Sequence, residues 1–213
     1  MGTIKQGILG AFSGKVGTVI GGVWKGIAYM RGLQTSASRI PTEAQLNTRA
    51  KFALTMTYLK PMSQFLQAGF KNLAVHMSGI NAATSYNYRN AITGAYPAYT
   101  IDPTKVLVAS GTLAPPLNAV ATSALAGTVK FDWEDNSGEI SASALDSAMI
   151  VINNPIKHTA VSSIGLSDRT TGTQTVTVPD SWSGDSVQCF LAFNAADGFT
   201  NSNSVYAGSV PMV

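Results

Sequence analysis

The second half of the chain is divided into short segments in which apolar and polar residues alternate. Glycine, asparagine, aspartate and proline separate these segments, as expected of strands joined by tight turns. Alternation with a period of two places one set of side chains inside and the other outside, which is the pattern of an all-β sandwich. The predicted strands from residue 117 onward are 119–125, 128–133, 148–153, 173–178, 186–193 and 203–210.

The first 33 residues are rich in glycine. Nine glycines are interspersed with valine, isoleucine, tryptophan and tyrosine, all of which favour strands. Lys25-Gly26 has the composition of a two-residue turn between 18–24 and 27–33. The pattern predicts a β-hairpin that is thin enough at its glycines for another backbone to approach closely.

The segment between these two regions predicts helices. Thr42 and Gln45 form a capping box, which marks the first turn of a helix. Pro61 costs an interior hydrogen bond, so this helix kinks there or restarts over 61–70. A further helix is predicted over 81–93.

After the last helix, 105–112 predicts a strand and 114–116 a linker. The predicted fold class is α+β, with an N-terminal β-hairpin and helices followed by an all-β sandwich. Two domains are expected: a basic, glycine-rich and helical domain over 1–113, and a sandwich domain over 117–213.

Two stretches of the second half resemble the fibronectin type III module, a sandwich of the immunoglobulin-like kind. VKFDW at 129–133 resembles its second strand, whose tryptophan packs in the core, and GDSVQCFLAFN at 184–194 resembles its penultimate strand. The family usually has tyrosine where Val187 stands here. The resemblance implies inward-facing side chains at a period of two, at Val187, Cys189, Leu191 and Phe193.

The first half resembles a narrower group. SGKVG at 13–17, WKG at 24–26, Arg31 and NAITG at 90–94 are similar to an uncharacterised family of proteins of about this length, found mainly in Bacteroidota. That family also ends in a β-rich segment with a stretch like NSVY at 203–206. The resemblance spans most of the chain and supports the domain layout, and it implies no activity.

Charge is divided unevenly along the chain. Residues 1–110 carry eleven basic and two acidic side chains, a net +9, whereas 111–213 carry three basic and nine acidic ones, a net −6. A division this strong predicts that the basic half attracts an anionic partner. Nucleic acid, a membrane surface and the acidic half of a neighbouring copy all fit.

The residue types that most often carry catalysis do not form a catalytic or metal-binding motif in this sequence, either because their spacing is wrong or because a required residue type is missing. His76 and His158 have no carboxylate, cysteine or second histidine at ligand spacing. Cys189 falls at an inward position of a strand, where a thiol behaves as a small hydrophobe. The acidic stretch 132–139 lacks the spacing of a calcium loop, and 10–16 is one residue short of a phosphate-binding loop. The sequence therefore predicts no enzyme activity, no cofactor and no metal site.

The sequence also predicts no secretory signal and no transmembrane helix. The apolar run 7–12 is too short for a secretory signal, and no apolar stretch approaches the roughly 18 residues of a transmembrane helix. The sequence predicts synthesis in the cytoplasm without membrane insertion. It leaves later incorporation into a virion or an extracellular assembly open.

These features predict a non-catalytic structural subunit that forms a homo-oligomer or larger assembly through its basic half, such as a phage virion component or a surface-fibre subunit. The expected interface or anion-binding residues combine cations with aromatic rings: Lys15, Trp24, Lys25, Tyr29 and Arg31. A nucleic-acid-binding protein that uses the same hairpin is an alternative. A carbohydrate- or receptor-binding module is another, with Trp182 as its aromatic side chain, although that ring is expected to cover the sandwich core.

Overall fold

Residues 2–4, 10–24, 26–34, 40–73 and 77–213 are described by the structure, a computed structural model. The chain divides into two units, Met1–Thr42 and Glu43–Val213. Two residues singled out from the sequence, Lys25 and His76, lie outside the described residues.

The N-terminal unit contains an antiparallel sheet. Its strands, in spatial order, are β1 (Thr3–Ile4), β2 (Phe12–Val16), β3 (Val19–Trp24) and β4 (Ile27–Gly32). The predicted hairpin is confirmed, because Trp24 pairs with Ile27 across a two-residue turn. A second hairpin, which the sequence analysis does not predict, joins β2 to β3 through Gly17, whose φ of 57° lies in the left-handed region.

Helices open the C-terminal unit. They are α1 (Glu43–Leu59), α2 (Ser63–Gly69) and α3 (Gly79–Asn90). The predicted restart near Pro61 is confirmed, because a short 3-10 turn over Lys60–Met62 separates α1 from α2. α3 begins where the Ser78 hydroxyl accepts a hydrogen bond from the Asn81 backbone amide at 3.2 Å, an N-cap that the sequence analysis does not use.

The end of α3 lies at Asn90, three residues before its predicted end. The chain turns there into a two-stranded sheet, in which β5 (Ile92–Ala95) pairs with β6 (Ala98–Ile101). The β-branched Ile92 and Thr93 favour a strand over another helical turn.

The segment 105–112, predicted as a strand, joins no sheet in the described part of the chain. Two of its backbone amides bind side chains instead: Leu107 donates to Asn87 and Val108 donates to Ser204, both at 2.9 Å. Its alternating apolar residues therefore pack into a core without a partner strand.

Two facing antiparallel sheets form the sandwich. The strands are β7 (Leu117–Thr122), β8 (Thr128–Glu134), β9 (Ser147–Asn154), β10 (Thr159–Asp168), β11 (Thr173–Thr177), β12 (Ser186–Asn194) and β13 (Val205–Pro211). The larger sheet has the order β10-β9-β12-β13 and the smaller one β11-β8-β7. The predicted α+β class with a β-sandwich is confirmed.

The central strands of the larger sheet, β9 and β12, are buried on both faces. The inner face of this sheet carries the predicted inward residues of β12, which join Trp133 and Trp182 in the core between the sheets. The alternate residues of β9 and β12 face outward into a second core, which they form with the helices. That second core includes Met149, Val151, Phe190 and Ala192 from the sheet and Leu59, Met62, Phe65, Leu66 and Phe70 from the helices.

This second core places the helices in the same unit as the sandwich. Because the helices share a core with the sandwich, the chain divides between Thr42 and Glu43 rather than between the predicted domains 1–113 and 117–213. Six of the eleven basic residues of 1–110 belong to the same unit as the acidic sandwich. The division of charge along the sequence therefore does not coincide with the division into units.

Candidate functional site

The register of the N-terminal sheet sorts its side chains onto two different faces. Lys15 pairs with Ile20, which in turn pairs with Arg31, so these three residues share one face. The residues that alternate with them along each strand share the opposite face.

We call the first of these the basic-aromatic face. It is made of Thr3, Ser13, Lys15, Ile20, Gly22, Trp24, Ile27, Tyr29 and Arg31. The structure therefore brings four of the five predicted interface residues, Lys15, Trp24, Tyr29 and Arg31, to one surface, where all four are exposed. The fifth, Lys25, lies outside the described residues.

The second face, which we call the apolar face, contains no polar side chain. It is made of Ile4, Phe12, Gly14, Val16, Val19, Gly21, Val23, Ala28, Met30 and Gly32. No single segment of the sequence reveals this face. Its signal is the period-two repeat of valine and glycine along β2 and β3, which becomes visible once the strands are in register.

Two adjacent glycines of β3 are each covered by an aromatic ring, one on either face. A Cβ at Gly21 would lie 2.2 Å from the Phe12 carbonyl oxygen and 2.6 Å from its ring. A Cβ at Gly22 would lie 2.9 Å from the ring of Tyr29, its cross-strand partner. The glycines thus leave room for these rings against the backbone of β3, an arrangement that stabilises strands containing glycine.

This unit has no hydrophobic interior in its described residues, among which only Gly21 is buried. On the apolar face, 57% of Val23 and 71% of Met30 are exposed. A small sheet needs a covered apolar face for stability. Contiguous exposed apolar surface of this kind marks contact sites.

The charge of the N-terminal unit has a single sign. Residues 1–42 contain five basic residues and no acidic one. Lys15 and Arg31 take part in none of the ion pairs found among the described residues. The basic-aromatic face is therefore positive and has no carboxylate of its own unit to neutralise it.

The titratable and nucleophilic side chains described in the C-terminal unit do not cluster into a site. Among the described residues, no three His, Cys, Asp or Glu side chains come together as a metal site requires. Cys189 is buried, and burial raises the pKa of its thiol to about 12, so the reactive thiolate does not form near neutral pH. His158 is exposed in the turn between β9 and β10.

The acidic stretch 132–139 is tied into the sandwich surface. Lys130 Nζ lies 2.8 Å from Asp132 Oδ1, and this hydrogen-bonded contact holds the pKa of Asp132 below its usual range. The Asn118 side chain donates to Glu134 at 2.7 Å. These two carboxylates of β8 therefore already have protein partners.

A buried arginine anchors the loop between β8 and β9, residues 135–146, which we call the acidic loop. The Arg169 side chain has no exposed surface and donates to Asp146 Oδ2 at 3.0 Å and to Asn136 Oδ1 at 2.6 Å. It also donates to the Ala114 carbonyl at 3.0 Å. The Asn136 amide donates in turn to Glu139 at 3.2 Å, so the loop is held at both ends.

Strand order and apposed sheets define the last part of the chain as a fibronectin type III-like sandwich, here with helices packed on its larger sheet. The protein belongs to a family of unknown function, DUF6266, whose model matches residues 11–208. The predicted membership in an uncharacterised family is thereby confirmed.

About half of the chain is similar to a solved domain structure. This is the solution structure of the fn3 domain of the human collagen alpha-1(XX) chain, at 13% sequence identity and a TM-score of 0.36. The match covers 49% of this chain and 90% of that one. None of the curated proteins matches the chain significantly. None of the described helices is both long and apolar enough to cross a membrane.

Proposed function

We propose that this protein is a non-catalytic structural subunit, which associates with further copies of itself through the apolar face of its N-terminal sheet. The observation that carries the proposal is a sheet with one wholly apolar face that is largely exposed, in a unit whose described residues form no hydrophobic interior. Burial of that face against a partner stabilises both the sheet and the assembly.

Charge favours a second copy as the partner on this face. The apolar face bears no charged residue, so two copies meet there without repulsion. The basic-aromatic face carries Lys15 and Arg31 and would repel itself, which leaves it outward or opposite an anion. Gly14 and Gly32 add no side chain to the apolar face, which permits close approach at these two positions.

A matched pair of lysine substitutions tests this proposal. Val23 and Ile27 have similar exposure, 57% and 51%, and lie on opposite faces of neighbouring strands. Val23→Lys places a charge in the proposed contact, so it is expected to shift the protein toward monomer. Ile27→Lys adds the same charge outside the contact and is expected to leave association unchanged.

Light scattering after size-exclusion chromatography, over a range of concentrations and salt, measures the outcome. Thermal unfolding of the C-terminal unit provides the control for folding. A wild-type protein that stays monomeric under all conditions would contradict the proposal, as would equal effects of the two substitutions.

A nucleic-acid-binding function is the second candidate, and the composition of the basic-aromatic face favours it. Lys15 and Arg31 lie in one row across the sheet, with Trp24 and Tyr29 on the same surface. Cations interleaved with aromatic rings neutralise phosphates and stack on bases. Binding of single-stranded DNA or RNA should then weaken steeply with salt and with Lys15→Gln/Arg31→Gln. Flat titrations at low salt would remove this candidate.

The kind of assembly and the source of the protein are part of the same proposal. A virion component or a surface-fibre subunit is the kind of assembly that such a subunit builds, and a Bacteroidota source belongs to the same prediction. A carbohydrate-binding role has less to support it, because Trp182 is buried in the sandwich core. That placement confirms the core role expected for this ring.

A further inference from the structure

A groove runs between α1 and α3 on the outside of the helical layer. It has a volume of about 630 Å³ and is lined by residues of both helices. Its apolar surface comes from Phe52, Met56 and Tyr88, and 53% of Phe52 is exposed. Grooves of this kind between helices accept apolar side chains of another protein segment.

The groove also carries positive charge without a counter-charge. Arg49 and Arg89 line it, and no acidic residue does. Neither arginine takes part in any ion pair of the described residues. A segment that fills this groove should therefore combine apolar side chains with carboxylates.

The acidic loop of the sandwich has that composition. Its Ile140 is 95% exposed and its Leu145 is 65% exposed, the first beside Glu139. Asp135 and Glu139 are exposed and are absent from the ion pairs of the described residues. Exposed apolar side chains beside carboxylates that form no ion pair in the described part of the chain match the groove in both polarity and charge.

The loop is also rigid enough to act as a preformed ligand. Arg169 holds Asn136 and Asp146 on either side of Ile140 through buried hydrogen bonds. The Ala114 backbone amide donates to the carbonyl of Ser141 at 3.2 Å. A segment that is already ordered loses little conformational entropy on binding.

We propose that the acidic loop of one copy binds in the α1–α3 groove of a second copy. Ile140 contacts the apolar floor, while Asp135 and Glu139 meet Arg49 and Arg89. This inference rests on the proposed self-association and adds to it a second, separate contact. Because the two surfaces differ, a pair of copies leaves one groove and one loop free for further copies.

Nucleic acid is the weaker occupant of this groove. A phosphate backbone is recognised by a track of cations, whereas here two arginines flank an apolar floor. Titration of the wild-type protein with single-stranded DNA and RNA separates these occupants. Binding that is lost with Arg49→Glu/Arg89→Glu while self-association is unaffected would overturn the proposal.

Charge reversal on each side gives the main test, in the full chain. Arg49→Glu/Arg89→Glu makes groove and loop both negative, and Asp135→Lys/Glu139→Lys makes both positive, so each pair should weaken self-association by about tenfold or more. The variant with all four substitutions restores opposite charges and should recover association. Lys60→Glu/Lys71→Glu, which reverses two charges outside the groove, is the matched control.

Analytical ultracentrifugation measures these associations, with thermal unfolding as the check that each variant folds. No weakening in either reversed pair, or weakening equal to that of the control, would overturn the proposal. So would failure of the fourfold variant to recover although it remains folded.

A disulfide between copies tests the position of the loop directly. Cys189 is buried, with its pKa raised to about 12, so introduced cysteines are the reactive ones. A mixture of Ile140→Cys and Ser85→Cys chains should form a cross-linked heterodimer, since Ser85 lines the groove. Ile140→Cys mixed with Ser183→Cys, at an exposed position outside the groove, should not.

The same cross-link separates the two proposals. In a Val23→Lys background, the Ile140–Ser85 cross-link should persist at high concentration, because it does not involve the N-terminal sheet. If Val23→Lys leaves the assembly size unchanged while the cross-link forms, the apolar-face contact fails and the groove contact stands. If the cross-link is absent and Val23→Lys dissociates the assembly, the groove contact alone fails.

Discussion

Arg169 connects three separate segments of the sandwich. Its guanidinium donates to the Asp146 carboxylate and the Asn136 side chain and lies 3.9 Å from the Phe193 ring centre. Its own carbonyl accepts a hydrogen bond from the Trp133 indole at 2.7 Å. All of these groups are buried, so each depends on the others for its polar partners.

Removal of this arginine should destabilise the C-terminal unit strongly. Arg169→Met retains apolar bulk but leaves the Asp146 carboxylate buried without a counter-charge, at an expected cost of about 3–5 kcal/mol in the free energy of unfolding. Urea denaturation followed by tryptophan fluorescence measures the change.

Arg169→Met/Asp146→Asn removes the orphaned charge and should recover part of the loss, which makes it the control. A single substitution that costs less than about 1 kcal/mol, the value of a surface ion pair, would contradict this account.

Helix α2 ends in close contact with the buried segment that follows β6. A Cβ at Gly69 would lie 2.5 Å from the Val108 carbonyl oxygen and 3.0 Å from the Ala109 Cα. The Gly69 carbonyl accepts a hydrogen bond from the Ser110 amide at 3.0 Å. The contact is between backbones, so neither side can move aside as a flexible side chain would.

Gly69→Ala should therefore separate these elements and destabilise the unit by about 1–3 kcal/mol, the usual cost of overpacking. Thermal unfolding measured by circular dichroism reports the change. Gly138→Ala is the matched control, because a Cβ there meets nothing within 4 Å, and it should change stability by less than about 0.5 kcal/mol. Equal effects at the two positions would contradict the steric explanation, because a Cβ at Gly138 has no contact to lose or strain.

At the scale of the molecule, strands β9 and β12 contribute side chains both to the core between the sheets and to the core under the helices. Cys189 of β12 faces the core between the sheets, and Phe190 faces the helices. The Asn201 side chain also donates to the carbonyls of Ala68 at 2.8 Å and Gly69 at 3.0 Å. These shared residues predict that 43–213 unfolds in one cooperative step.

Hydrogen exchange of the native protein tests this cooperativity. Phe190→Ala should cost about 3–5 kcal/mol and should lower the protection of α1 and of β8 by equal amounts, although β8 does not touch the second core. Loss of protection confined to the helices would show that they open separately from the sandwich.

Much of the fold follows from local pattern. The turn after Trp24, the restart of the helix near Pro61 and the inward residues of β12 are all confirmed. Strand β10 escapes prediction, because its edge position leaves it polar and Gly165, with φ of 77°, interrupts its alternation. Conversely, 105–112 alternates like a strand and forms none, since its apolar residues pack in the second core.

Of the candidate interaction surfaces, one is indicated by the sequence and two become visible only in the folded chain. Composition alone directs attention to Lys15, Trp24, Tyr29 and Arg31, and register then places them on one face. The apolar face could be foreseen only by aligning β2, β3 and β4, because each of these strands contributes just three positions to it. The α1–α3 groove depends on how two helices pack, which no single segment specifies.

The sequence by itself determined the elements whose signals are local: turn glycines, a helix restart at proline, and strands with a period of two. Only the tertiary structure decided that β9 and β12 are buried on both faces, which joins the helices to the sandwich and moves the boundary of the units to Thr42 and Glu43. The physical reason is that a period of two specifies that two faces exist, whereas what covers each face depends on contacts between residues far apart in the chain.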